Sequence, residues 1–162
     1  MNASRRLAQI SSTLIRTQRF RPIINNNPTA IPPLFKMASN MIAINSKDAA
    51  PPAGPYSHAI KTPHAIYCSG SIPVDAQGNM VEGTIQQKTE ACIKNLAAVL
   101  KEAGSSIEKV VKVNIFLADM GDFASMNEEY AKWFTHKPAR SCVAVKTLPK
   151  NVDVELECIA MP

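Results

Sequence analysis

Apolar residues recur at helical spacing between positions 85 and 103. Cys92, Leu96, Val99, Leu100 and Ala103 fall on one stripe, which predicts a helix burying one face against a sheet. Thr84 with Gln87 three residues later fits a capping box, and Gly104 suits the left-handed position that closes a helix. The period then changes. Over Lys109–Ala118, Val111, Val113, Ile115 and Leu117 take one side while Lys112 and Asn114 take the other, which predicts a half-buried strand. A second helix is expected over Phe123–Phe134, with Asp122 as its cap and Phe123, Met126, Tyr130, Trp133 and Phe134 as its buried stripe. Asn127 lies beside that stripe, where a polar amide needs a partner.

Three short apolar segments precede the first helix: Met41–Ile44, Tyr56–Lys61 and Ala65–Ser69. Pro51–Pro55 and Thr62-Pro63 break between them; Ile72–Val74 adds an extended piece, and Asp75–Asn79 reads as a turn. Two strands close the chain, Ser141–Thr147 and Val152–Ala160, joined by Leu148–Asn151. The order β-β-β-α-β-α-β-β predicts an α+β sandwich in which two helices cover one face of the sheet. The other face carries Lys112, Asn114 and Phe116, too mixed for a monomer core but suited to a contact between subunits, so an oligomer is expected.

Charge divides the chain in two. Residues 1–40 hold six of the 18 basic groups and none of the 13 acids, a local +6, so the remaining 12 bases against 13 acids leave the domain at −1. The overall +5 therefore belongs to a leader that is Arg-rich, Ser/Thr/Asn-rich and acid-free, with Leu7, Ile10 and Leu14 at helical spacing. That pattern predicts a mitochondrial transit peptide over 1–40, with a disordered basic tail as the alternative. Met37 or Met41 could start a shorter, cytoplasmic product. Residues 41–162 suffice for one core and not for two, and no apolar run approaches transmembrane length. Cys68, Cys92, Cys142 and Cys158 form no Cys-x-x-Cys pair and have no histidines at metal-site spacing, so no metal is expected.

The candidate chemistry lies in the last strands. Arg140 is the only arginine beyond residue 21, and its planar fork grips a carboxylate in a way lysine cannot. Alternation puts Arg140 and Cys142 on one face of their strand; in the final strand it turns Asp153, Glu155 and Glu157 away from the core. With the two strands taken as neighbours, a guanidinium and a carboxylate would either pair or bracket a ligand. A solvated face is the plainer reading of the three acids.

Six segments in order resemble one family: Gly54-Pro55-Tyr56, Cys68–Pro73, Val111–Leu117, Pro138–Val143, Leu148-Pro149-Lys150 and Val154–Ala160. Together they resemble the reactive-intermediate deaminase (Rid, YjgF-like) family, in particular its RidA-type branch, and the basic leader resembles the mitochondrial matrix factor type. The resemblance spans 41–162. Ser71 stands where the family's motif more often has glutamine, and Lys137 where many relatives have an aromatic residue. The family implies a chorismate-mutase-like fold, one mixed sheet covered by two helices, assembled as a homotrimer with active sites between subunits. It implies hydrolysis of 2-iminobutanoate and 2-iminopropanoate to 2-oxo acids and ammonia without metal or cofactor. Protection of pyridoxal-phosphate enzymes, branched-chain amino acid metabolism and mitochondrial DNA maintenance would follow. Carried onto this sequence, the carboxylate-binding arginine is Arg140 and the water-handling acid Glu155, with Tyr56, Ser69, Gly70, Asn127 and the Cys142 backbone as substrate contacts.

That chemistry is self-consistent: the imine carbon is already electrophilic, and one partly buried carboxylate can take a proton from water and return it to nitrogen. Covalent catalysis by Cys142 lacks a neighbouring histidine, and His58 beside Ser57 points to the opposite face of a strand. The alternatives are RNA binding or endoribonuclease activity, against which the domain's −1 charge argues, and a chaperone-like matrix protein.

Overall fold

A computed structural model describes residues 40–162; the expected transit peptide lies outside the described residues. The elements are β1 (Ile42–Ile44), β2 (Ala59–Lys61), β3 (Ile66–Cys68), α1 (Ile85–Glu102), β4 (Val110–Leu117), α2 (Phe123–Trp133), β5 (Ala139–Ala144) and β6 (Val154–Ala160). Their order is the one the hydrophobic periods predict. They build a six-stranded mixed sheet ordered β1-β2-β3-β6-β4-β5, in which only β4 and β5 run parallel. A parallel neighbour requires a long crossover, which α2 supplies between β4 and β5. Helix α1 likewise links β3 to β4, with β6 inserted between them.

Both helices pack against each other, and α1 also packs on β3 and β6. Thr84 caps α1 as expected: its Oγ1 accepts from Gln87 N–H while Gln87 Oε1 accepts from Thr84 N–H. At the other end Lys61 Nζ donates to Ala103 O at 2.7 Å, meeting a helix-end carbonyl with a cation. The α1 stripe (Cys92, Leu96, Val99, Leu100, Ala103) is buried against Val113, Ile115, Val154, Leu156 and Cys158 of the central strands. Truncating a fully buried member such as Leu100 to alanine would cost about 2–5 kcal/mol.

Two expectations need correction. Val111 does not join the buried row of β4; it is 44% exposed, and Val110 is buried instead. The ladder with β6 steps from Val110↔Ala160 to Lys112↔Ile159, so Val111 is the extra residue of a bulge and alternation resets there. Asp153 also leaves the acid stripe: it precedes β6, and its carboxylate pairs with Lys88 on α1.

The far face of the sheet carries Tyr67, Ile159, Phe116 and Val143 among Lys112, Asn114, Glu155 and Glu157. No described element covers it.

Candidate active site

The helix-side group is built around Arg140. Strand β5 is an edge strand whose partner is β4, with Arg140 opposite Val113 and Cys142 opposite Ile115. Residues directly opposite share a face, and Val113 and Ile115 are buried under the helices. Arg140 therefore points toward α2, which holds it three ways. Its Nη1 donates to Asn127 Oδ1 at 2.5 Å, and its guanidinium lies over the rings of Tyr130 (4.8 Å) and Phe123 (5.7 Å). Among the described residues no carboxylate pairs with it. An aromatic seat with an uncharged amide partner orients the exposed cation while leaving its charge uncompensated.

Cys142 sits beside this seat with its side chain packed on the core. Burial raises the thiol's pKa and nearby Arg140 only partly offsets that, so the group is a neutral thiol at physiological pH. Its backbone is the more useful part. Val145 N–H donates to Leu117 O, so the odd residues of β5 face β4. The N–H and C=O of Cys142 consequently lie along the open edge.

The second group surrounds Glu155. The β3–β6 ladder passes from Tyr67↔Ile159 to a bridge between Ser71 and Leu156. Four steps on one side meet three on the other, which leaves an extra residue in the Ser69-Gly70 stretch beside Glu155. A Cβ on Gly70 would overlap Glu155 Oε1 and come within 2.9 Å of Cδ, so the carboxylate occupies the space that a side chain would need. Burial lifts the Glu155 pKa above the ordinary carboxylate range, and the charge of Glu157 adds to it. Glu157 itself accepts from Asn114 Nδ2 at 2.7 Å.

Tyr56 and Ser69 border a cavity of about 50 Å³ that also reaches Gly70. Tyr56 Oη accepts from Ala53 N–H at 3.1 Å, leaving its own proton to offer. Ser69 Oγ already donates to Ser57 O at 2.7 Å, so towards a ligand it acts as an acceptor. The loop roofing the cavity depends on two residues that the sequence reading missed. His58 Nδ1 accepts from Ser46 N–H, which puts its proton on Nε2 for Ala50 O, and Asn95 bridges Ala50 N–H to Val74 O. Asn95 was discoverable as an amide next to Leu96 on the buried stripe of α1.

The two groups do not meet within one chain. The expectation that Arg140 and Glu155 lie on adjacent strands is overturned, because β4 stands between β5 and β6. Glu155 pairs with Phe116, between the buried Val154 and Leu156, and so points to the uncovered face while Arg140 points to the helices. With Arg140 level with Val113 and Cys158, the two backbones are on the order of 14 Å apart from strand spacing and rise alone. Arg140, Asn127 and Cys142 form one half-site; Glu155, Gly70, Ser69 and Tyr56 form another.

Known proteins share this arrangement of chain. The family model described as endoribonuclease L-PSP matches residues 46–162. The chain belongs to this family, the one also called Rid or YjgF-like. Among family relatives, the fission yeast (Schizosaccharomyces pombe) protein mmf1, mitochondrial, is 58% identical over 113 residues, covering 67% of this chain and 69% of the relative. The Saccharomyces cerevisiae protein MMF1, mitochondrial, is 46% identical, over 80% of this chain and 90% of the relative. The crystal structure of yeast Mmf1 superposes with a TM-score of 0.73 at 47% identity, over 75% of this chain and 98% of that one. E. coli TdcF with bound serine gives 0.72 at 33% identity, over 75% and 98%. The family's chorismate-mutase-like fold, one mixed sheet covered by two helices, is thus the fold of this chain.

Proposed function

We propose that the protein hydrolyses small 2-imino acids, of the 2-iminobutanoate and 2-iminopropanoate kind, to 2-oxo acids and ammonia, in clefts where the Arg140 half-site of one copy meets the Glu155 half-site of the next. The observation that carries this reading is the oriented guanidinium of Arg140, which has no carboxylate of its own among the described residues. Such a group suits an anionic ligand supplied from outside. Because the two half-sites lie at different places on one chain, their contact is heterologous, and a closed ring of copies leaves none unmatched. A homotrimer is the ring the family implies.

In that cleft Arg140 holds the substrate carboxylate through two N–H groups, and the free-edge carbonyl of Cys142 accepts the imine N–H. Glu155 takes a proton from water as the oxygen attacks the imine carbon, giving a carbinolamine. The same carboxyl returns the proton to nitrogen and then takes up the hydroxyl proton as C–N breaks, giving the 2-oxo acid and ammonia, which carries that proton away as ammonium. Water and imine are consumed one to one. An acid whose pKa is raised by burial is suited to both transfers. No step calls for a metal or cofactor.

The basic leader and the mitochondrial relatives support a matrix location, where removing imines would protect pyridoxal-phosphate enzymes; support of branched-chain amino acid metabolism and of mitochondrial DNA would be indirect. RNA cleavage is the second reading, favoured by the family's description. The deciding experiment generates 2-iminobutanoate in situ with an amino acid oxidase and follows 2-oxobutanoate release. The deaminase reading expects acceleration by the protein, abolished in Arg140→Ala and strongly reduced in Glu155→Ala. Release at the spontaneous rate, together with RNA cleavage that withstands Arg140→Ala and further purification, would replace it with the nuclease.

A further inference from the structure

The four cysteines are not equivalent. Cys92 Sγ on α1 donates to Val154 O, and Cys142 on β5 is separated from β6 by β4. Cys68 and Cys158, by contrast, lie on the neighbouring strands β3 and β6. The ladder pairs Ile66 with Ala160 and Tyr67 with Ile159, so its next step sets Cys68 directly opposite Cys158. Both are buried in the core on the helix side of the sheet, and their thiols are hydrogen-bonded to each other. Either alone is an ordinary small core residue; face to face they can also become one bond.

The backbone fixes their separation. Ser69 N–H donates to His58 O, which turns the backbone groups of Cys68 toward β6. Leu156 exchanges both its bonds with Ser71, which turns those of Cys158, two residues on, toward β3. Opposed residues of this hydrogen-bonded kind have Cα atoms about 5.5 Å apart, within the range a disulfide spans. Their Cβ atoms, at about 4.5–5.5 Å, stand about 1 Å wider than the 3.5–4.5 Å of a relaxed bridge. A bond closed here is strained, and a strained disulfide is readily reduced.

We propose that Cys68 and Cys158 form a reversible cross-strand disulfide, made by a hydroperoxide and undone by a dithiol, which slows turnover at the Glu155 half-site. The hydrogen bond with Cys68, and then burial, raise the pKa of Cys158, so Cys158 keeps its proton and Cys68 is the attacking sulfur. With hydrogen peroxide, Cys68 Sγ breaks the O–O bond and becomes a sulfenic acid, releasing one water. Cys158 Sγ then attacks that sulfur; S–S forms as S–O breaks, and hydroxide leaves with the Cys158 proton as a second water. Two thiols are oxidised for each peroxide reduced. Cys68 directly precedes the Ser69-Gly70 wall against which Glu155 rests, so drawing the strands together displaces that wall. This control rests on the imine-hydrolase reading; the bond itself does not.

The test treats the full chain with hydrogen peroxide, alkylates the remaining thiols and maps the peptides without reductant. A linked Cys68–Cys158 peptide is expected, and dithiothreitol should remove it. Release of 2-oxobutanoate from 2-iminobutanoate made in situ, with catalase present, is compared before oxidation, after it and after dithiothreitol. A displacement of about 1 Å costs about a hundredfold, and the side chains absorb part of it, so a loss of at least about tenfold is expected. Dithiothreitol should restore the rate. Cys68→Ala and Cys158→Ala each remove one sulfur and should keep turnover while losing this response. A map with the exposed Met161 oxidised to sulfoxide but no linked peptide overturns the disulfide. A linked peptide with turnover unchanged, or a loss that both variants share, overturns the control and leaves the bond standing. No turnover by the reduced protein overturns the imine reading and the control together, without touching the bond.

Discussion

Gly70 and Glu155 share one volume: the acid's Oε1 occupies the place where a Cβ on residue 70 would stand. The backbone of the Ser69-Gly70 bulge is thereby the wall against which the carboxylate rests, and the glycine is needed for closeness, since its φ is not in the left-handed region. Gly70→Ala must push Glu155 aside. We expect a kcat loss of about a hundredfold, the scale of a 1 Å misplacement, with little change in Tm; normal kinetics would mean that Glu155 is free to move without consequence.

Since Arg140 and Glu155 lie on opposite faces, the two single mutants should repair each other. Arg140→Ala is expected to be inactive alone and Glu155→Ala strongly reduced, but a mixed ring of the proposed kind would have sites formed by an intact Arg140 from one copy and an intact Glu155 from its neighbour. Random mixing is expected to restore about one quarter of wild-type activity. Co-expression followed by assay of the purified mixture checks this, and no recovery would show that one copy must supply both groups.

The pH profile has a definite sign. Burial, aided by Glu157, raises the Glu155 pKa, so the acidic limb of kcat/KM should lie above the usual glutamate range. Glu157→Gln removes the neighbouring charge and is expected to move that limb to lower pH. The linked stability term runs the same way. Stability tied to a raised carboxyl is fully present below its unfolded pKa and is lost as pH rises through the folded value. In Glu157→Gln that loss should shrink in denaturation measured across the interval between the two.

Asn127 positions Arg140 and can be tested against charge. Asn127→Ala removes a hydrogen bond to a charged group worth about 1.5–3 kcal/mol, so kcat/KM should fall about ten- to hundredfold. Asn127→Asp keeps the shape and installs the carboxylate that the seat lacks. It should occupy the guanidinium and cost more than alanine does, visible chiefly as a higher KM for the anionic substrate.

Much of this architecture was legible in local pattern. The capping box of α1, its buried stripe and the order of all eight elements follow from period and turn chemistry, because these depend on neighbours a few residues away. Arg140 could be singled out by its isolation among lysines. Strand order could not be read: nothing local tells β6 to insert between β3 and β4, and placing β5 and β6 side by side followed the usual pairing of consecutive strands. The Val111 bulge escaped for a related reason, since valine fits either side of an alternating pattern. The Gly70–Glu155 contact joins positions 85 residues apart and needed coordinates; the family motif pointed to both residues without saying why the glycine matters.

The open edge of β5 has a consequence beyond catalysis. A strand that exposes backbone N–H and C=O groups is a template on which any extended polypeptide can add itself. Under the proposed ring assembly, a protomer left alone, including one freshly made and not yet matched with its neighbours, would carry that template beside an uncovered sheet face bearing Tyr67 and Val143, 50% and 49% exposed. Assembly and solubility are then guarded by the same few residues, and a substitution that weakens the contact between copies should first show itself as precipitation.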